Sequence, residues 1–394
     1  MATSSGLPSP VGGTLVQRTD ATPDLQALAS LPRLTVSKET LIDAEQIATG
    51  VFSPATGFMT WEEVNEVLDH YTLGGTDRPW ALPIVLQISE EEAKGLEVGA
   101  SITLAESESV RPKALLEIRD LYRPDLGALC KRWFETDSTE HPGVAAVMAG
   151  GPVFIGGPIT LFPTQAVASP FQSLILTPAQ VREEFTRQGW STVTAFHTRN
   201  VPHRGHEHIH RTIMDRHDMD GLFIHPVIGR KKPKDYQTDI IIKAYRTLID
   251  IHYPKGRVFF SAFNTFSRYA GPREAIFTAL CRRNFGCSHF VIGRDHTGVG
   301  DFYPSDAAHR LLDRLGSIGI DPIIFSEVAY NHVEECYEEL SPEECLQPEI
   351  IRLSATKARN LIVKGEHPPE YLMRRDLVNA ILAAQERGHL IFVP

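Results

Sequence analysis

No stretch of this 394-residue sequence approaches the roughly 18 consecutive apolar residues that a spanning helix needs. No repeat of fixed period runs through it either. The opening MATSSGLPSPVGGTLVQR lacks both the basic start and the apolar middle of a secretory leader, so the chain reads as soluble, unsecreted and cytoplasmic. Cysteine is scarce: Cys130, Cys281, Cys287, Cys336 and Cys345 are odd in number and form no CxxC pair, which argues against a disulfide framework or a zinc ribbon. Surplus positive charge is missing too. With 39 Lys and Arg against 49 Asp and Glu, the net charge is -10. A protein that works by tracking nucleic acid is therefore disfavoured, and an anionic ligand must meet a local basic site.

What is present is an ordinary globular composition, 42% hydrophobic and 22% charged, on a length that allows two or three domains. The first part, to about residue 168, has short apolar runs between turn residues, such as WALPIVLQI (80–88) and ASITLAES (100–107), and reads as β-rich. The change of texture through PTQAVASP sets a boundary at 163–172. Beyond it, strand-like runs at 191–196, 221–229, 257–263 and 288–293 alternate with helical spacing at 203–216, 238–251 and 272–283. This alternation predicts a parallel sheet with crossover helices, in which ligands sit where strands end in loops. From residue 326 an acidic stretch and two helices, 355–363 and 369–387, form a small closing domain. The expected division is thus 1–168, 169–325 and 326–394.

Three strand ends carry basic loops. After STVTAF comes His197-Thr198-Arg199-Asn200-Val201-Pro202-His203-Arg204-Gly205-His206. Pro202 is expected at an early helical position, with the unpaired first-turn amides forming an anion site. His203 and His206, three apart, share one face of that turn. Arg199 offers a planar fork for a tetrahedral oxyanion, Thr198 and Asn200 add neutral donors, and only Glu207 opposes the positive potential. Zinc on His203, His206, His208 and His210 is disfavoured, because no HExxH arrangement or neighbouring Cys accompanies them. The second strand end carries Gly293-Arg294-Asp295-His296, where Gly293 allows close backbone approach and Arg294 neutralises phosphate. The third is Gly229-Arg230-Lys231-Lys232-Pro233-Lys234, in which Lys231 and Lys234 individually read as solvated turn residues. Together the three loops describe a polyphosphate pocket.

HTRNVPHRGH, the long block SRYAGPREAIFTALCRRNFGCSHFVIGRDHTGVGDFY (267–303), GVFSPATGFMTWEE (50–63), KPKDY (232–236) and LSATKARNLIVKGEHPPEYL (353–372) resemble the ATP sulfurylase family over nearly the whole chain. The resemblance implies an α/β protein: a Rossmann-like nucleotidyltransferase domain with a parallel sheet, a β-rich PUA-like N-terminal domain and a small C-terminal α/β domain. It implies direct attack of sulfate on the α-phosphate of ATP, giving adenylyl sulfate and pyrophosphate. Thr198, Arg199 and Asn200 match the family's catalytic trio, with Arg199 on sulfate. His197, His203, His206, Gly293, Arg294, Asp295 and His296 match its ATP contacts, Val328 abuts the adenine, and Thr297 aligns with a sulfate contact. The implied companions are Mg2+ carried with ATP and further copies of the same chain in a homo-oligomer; structural zinc, nucleic acid and membrane are not expected. A single activity is expected, with no fused adenylyl-sulfate kinase. The chain has His197 where the family usually has Gln, Asn-Val-Pro-His for Asn-Pro-x-His, Thr297 for Ala and Ala355 for Gly. The rivals are a same-fold nucleotidyltransferase with another acceptor and a non-catalytic nucleotide- or RNA-binding relative. The acidic charge argues against RNA, and the intact trio against lost catalysis.

Overall fold

The computed structural model describes residues 6–107, 111–162, 171–216, 218–293 and 299–393. The chain falls into two compact units, one drawn from Met1–Thr186, Ser267–Gly286 and Asp295–Asp321, the other from Arg187–Phe266, Cys287–Arg294 and Pro322–Pro394. Residues 163–170 of the expected boundary, with the 168/169 junction among them, lie outside the described residues.

The first unit is β-rich, as its texture predicts. Among the described residues its sheet has seven strands. The hub is Val153–Leu161, on which Gly57–Phe58, Leu86–Ile88, Ala114–Glu117 and Asp120–Tyr122 all pair antiparallel. A strand with this many partners needs close backbone approach: a Cβ on Gly157, whose φ is +152°, would lie 1.9 Å from the Glu117 carbonyl oxygen. Helices Lys38–Ala48 and Trp61–His70 start at Ser37 and Thr60, whose side chains accept backbone N–H bonds, the second completed into a capping box by Glu63.

Helix Pro272–Asn284 also belongs to this unit and is buried along almost its whole length, charged residues included. Phe277 packs edge-on against Phe52 and Trp80, with ring centroids 5.1 and 5.5 Å apart. Arg273 donates to the carbonyls of Val67, Leu68 and Ala81, and Arg268 forks onto the carboxylate of buried Asp43. Asn284 donates to the carbonyls of Val51 and Ser53. Arg268 and Arg273 of the SRYAGPREA segment are thus consumed in satisfying one buried carboxylate and buried backbone, as desolvated donors require.

The second unit is built on a five-stranded sheet in the spatial order Val258–Phe260, Gly221–Pro226, Val193–Thr198, His289–Ile292, Asp321–Ile324. The first four run parallel. Numbered along the chain this is the order 3-2-1-4-5 of a doubly wound sheet, with the earliest strand in the middle. Helices Arg204–Asp215 and Thr238–His252 follow the first and second strands. The closing segment shares their core: Phe196, Ile213, Leu222, Ile241 and Tyr245 are buried in one cluster with Ala358, Ile362, Leu372, Leu377 and Ile381. Its three-stranded antiparallel sheet has Glu327–Asn331 in the centre, and this strand packs against helix Arg204–Asp215. The second closing helix, Arg375–Glu386, begins six residues later than its spacing predicts: the Pro369 carbonyl closes a separate turn by accepting the Leu372 and Met373 N–H groups, and the helix starts after it with Arg374 as N-cap.

Candidate active site

Parallel strands gather their C-terminal ends on one edge, and the earliest strand delivers His197 and Thr198 there. His197 is half-buried and pairs in register with His225 on the neighbouring strand. The buried Thr198 does two jobs. Its carbonyl accepts the Val227 N–H at 2.8 Å, locking the two strand ends together, and its hydroxyl accepts the Asn200 N–H at 3.2 Å. That side-chain turn fixes the backbone on either side of Arg199.

The helix that follows opens unexpectedly. The sequence predicts Pro202 inside the first turn and free amides around it; Pro202 instead precedes the N-cap, which is His203. The Nδ1 of His203 accepts the Gly205 N–H at 3.1 Å, and the Nδ1 of His206 accepts the His203 N–H at 3.4 Å. The Arg204 N–H donates to the Leu372 carbonyl at 3.0 Å. These three amides are therefore spent, two on imidazole nitrogens that reach back as a capping box and the third on the Leu372 carbonyl. An Nδ1 that accepts carries no proton, so each neutral ring keeps its proton on Nε2. Burial pushes His203 down to about 4 and His206 well below its ordinary value, the latter also through His203 and His210. At neutral pH the two rings, stacked with centroids 3.8 Å apart, are uncharged Nε2–H donors. Donor capacity has passed from backbone to side chains.

Glu207 does not oppose this site. Its carboxylate is buried and receives Arg204 at 2.8 Å, Arg211 at 3.0 Å and Arg374 at 2.7 Å. Burial alone would raise its pKa, but the Arg374, Arg204 and Arg211 contacts prevail and hold it down to about 2. His210, read with the crowded histidines, is a buried core residue bonded through Nδ1 to the Tyr253 hydroxyl at 2.6 Å. Among the described residues no group of three or more His, Cys, Asp or Glu is arranged to hold a metal ion.

The third basic loop corrects another expectation. Lys232 and Lys234 are exposed, but Lys231 is half-buried and turned back onto the strand ends, its ammonium donating to the Val227 carbonyl at 2.6 Å. The loop is held from both sides: Lys234 N–H and Val393 N–H exchange bonds with Val393 and Asp235 carbonyls, and Gly229 N–H bonds the Thr265 carbonyl. A Cβ on Gly229 would stand 2.1 Å from that Thr265 oxygen. Gly229→Ala should therefore destabilise the protein by about 1–3 kcal/mol through forced displacement of the loop, read as a lower midpoint in denaturant unfolding; an unchanged midpoint would mean the loop gives way freely.

Gly293 follows strand His289–Ile292, and among the described residues nothing lies within 4 Å of where a Cβ would stand. Val328 is half-buried on the strand that packs against helix Arg204–Asp215. Arg294, Asp295, His296 and Thr297 lie outside the described residues. Sequence reasoning missed the Arg374 and Leu372 contributions to the helix start, which come from far along the chain and carry no local signal. It also missed the burial of Lys231, although the Asp-Tyr after KPK is the segment that anchors its loop.

A doubly wound parallel sheet with paired imidazoles at the start of its first helix has the build of a Rossmann-like nucleotidyltransferase. The ATP-sulfurylase family profile matches residues 172–384, and a PUA-like domain profile matches residues 8–164. The chain is 40% identical over 378 residues to the sulfate adenylyltransferase of Pyrococcus abyssi, covering 94% of this chain and 97% of that one. It is 38% identical over 379 residues to the sulfate adenylyltransferase of Hyperthermus butylicus, covering 95% of each. A solved structure described as a hexameric APS kinase from Thiobacillus denitrificans shares the fold, with a TM-score of 0.71 at 22% identity over 95% of this chain and 68% of that one. The chain belongs to the ATP sulfurylase family.

Proposed function

We propose that the protein is a sulfate adenylyltransferase that joins ATP and sulfate into adenylyl sulfate and pyrophosphate, reversibly. The observation that carries this reading, within the family just identified, is the gathering of His203, His206, Thr198, Arg199 and Asn200 at the end of one strand. A sulfate oxygen attacks the α-phosphorus in line, the bond to the β-phosphate oxygen breaks, and pyrophosphate leaves. Two anions must meet for this, so catalysis rests on positioning and on neutralising charge. Arg199 takes the sulfate, and Thr297 is assigned to the same anion from the family resemblance; Asn200 and Thr198 hold the reacting phosphate; the Nε2–H groups of His203 and His206 take the departing phosphates. His197, Gly293, Arg294, Asp295 and His296 complete the nucleotide contacts, and Val328 abuts the adenine.

Magnesium enters with ATP as part of the substrate, held by phosphate oxygens and water, as is usual in this family. The imidazole N–H, guanidinium and ammonium donors described above suit those phosphate oxygens rather than a bare cation. The boundary at 168/169 is supported by the bounds of the two family profiles, and the one at 325/326 by the change to an antiparallel sheet after Phe325 alone, since the ATP-sulfurylase profile runs through it. Self-association and a cytoplasmic location complete the reading; they rest on the family resemblance and on cysteine usage.

The test is pyrophosphate release from ATP with and without sulfate. Sulfate-dependent release is expected, as is continuous formation of AMP and pyrophosphate with molybdate, which forms an unstable anhydride. Release that ignores both anions but responds to another acceptor would overturn the assignment.

A further inference from the structure

Lys231 presents a physical puzzle that the roles given so far leave unsolved. A lysine ammonium is strongly hydrated and gains little from desolvation, so a surface loop ordinarily leaves it in water. Here it is folded inward onto the Val227 carbonyl at 2.6 Å. Val227 is the residue whose N–H is bonded to Thr198, next to Arg199. The position is held by the chain, since Gly229 is pinned to Thr265 and residues 234–237 are bonded to residues 391–393. No described carboxylate lies within ion-pair distance of the ammonium. Among the described residues, the charged groups acting on it are Asp235 from its own loop, which favours the charge, and Arg199 from the end of the earliest strand, which opposes it more weakly. Burial, the largest influence, pushes its pKa down to about 8 against the pull of Asp235, and Arg199 adds a smaller downward contribution.

A fold that half-buries an ammonium beside a guanidinium bears a desolvation cost that Asp235 offsets only in part, and an oxyanion reaching both cations offsets more of it. The triphosphate already has the paired imidazoles. The neighbour of Lys231 is the guanidinium assigned to the acceptor. We infer that Lys231 is the second cation of the sulfate subsite, its ammonium and the Arg199 guanidinium together contacting the attacking oxyanion. This rests on the sulfate adenylyltransferase reading above. The sign of the pH effect follows. Above pH 8 the free enzyme loses the ammonium charge, so sulfate affinity falls with rising pH while ATP affinity does not follow it.

The experiment measures KM for sulfate and for ATP separately, by pyrophosphate release, in the wild type, Lys231→Met and Lys231→Arg. Lys231→Met is expected to raise the sulfate KM about tenfold or more, the loss of one charge-assisted contact, with the ATP KM changed by less than about twofold. Lys231→Arg keeps a charge that does not titrate; it should recover most of the sulfate affinity and flatten the alkaline rise. A wild-type sulfate KM in Lys231→Met, or sulfate and ATP KM rising together, overturns the inference. Should Lys231→Met fail to fold, Lys231→Arg decides alone, and an alkaline rise as steep as in the wild type overturns it. Wild-type enzyme without sulfate-dependent release would sink the underlying reading itself, a result distinct from all of these.

Discussion

Replacing Arg199 by alanine should cut sulfate-dependent pyrophosphate release by about a hundred- to a thousandfold, the loss expected when one preorganised, charge-assisted donor is taken from a site of developing negative charge. The fold should survive, because the turn that presents Arg199 is made by the Thr198 hydroxyl and the Asn200 N–H and not by the guanidinium. Thermal unfolding of the variant therefore serves as the control, and steady-state kinetics as the readout. Arg199→Lys should recover only part of the activity, since an ammonium is a point charge and cannot grip two oxygens in one plane. Near-normal turnover in the alanine variant would remove Arg199 from the site and, with it, the reason for placing the acceptor at this strand end.

Which parts of this site could be read in the sequence follows from how local each interaction is. The doubly wound sheet is legible because apolar strands and amphipathic helices alternate with short polar loops, and each strand's identity depends on its own few residues. The strand from 193 to 198 and the helices from 204 and 238 stand within two residues of their expected starts. The stacking of His203 on His206 is legible for the same reason, since residues three apart share a helix face. The use of their Nδ1 atoms as caps is not, because histidine competes poorly with Ser, Thr, Asp and Asn as a cap in general, and the burial that keeps both rings neutral, with an acceptor nitrogen available, is not visible in the sequence. Lys231 and Lys234 look alike in sequence. Their different fates are set by Val227, Thr265 and Val393, which the fold brings to the loop from elsewhere. Helix Pro272–Asn284 looks like a crossover helix of the parallel sheet, yet Arg273 and Asn284 are bonded within the first unit. Spacing reveals that a helix forms, and says nothing about which partners accept its donors.

The largest effect on stability is expected at Glu207, which binds the first turn of the histidine helix to Arg374 and to the segment around Leu372. Three guanidinium groups share this one carboxylate, and Glu207→Gln leaves them facing a neutral amide. Breaking a buried ion pair typically costs about 3–5 kcal/mol; the arginines here keep part of their hydration, so about 2–3 kcal/mol is expected. That loss should appear as a melting temperature lower by several degrees. The pH dependence identifies the cause. The carboxyl has an ordinary value of 4.5 and is held at about 2 in the folded chain, so its contribution is complete above pH 4.5 and disappears as the pH falls toward 2. The gap in stability between wild type and Glu207→Gln should accordingly be widest near neutrality and close progressively through that acid window. A gap that stays constant from pH 7 down to pH 3 would assign the loss to packing and not to charge, and no gap at all would mean that the arginines find other partners. In the expected case the same variant also ties stability to chemistry. Arg204 is the first residue of the helix capped by His203 and His206, so loosening its anchor should raise the ATP KM while leaving the sulfate KM near its wild-type value, the reverse of the pattern expected at Lys231.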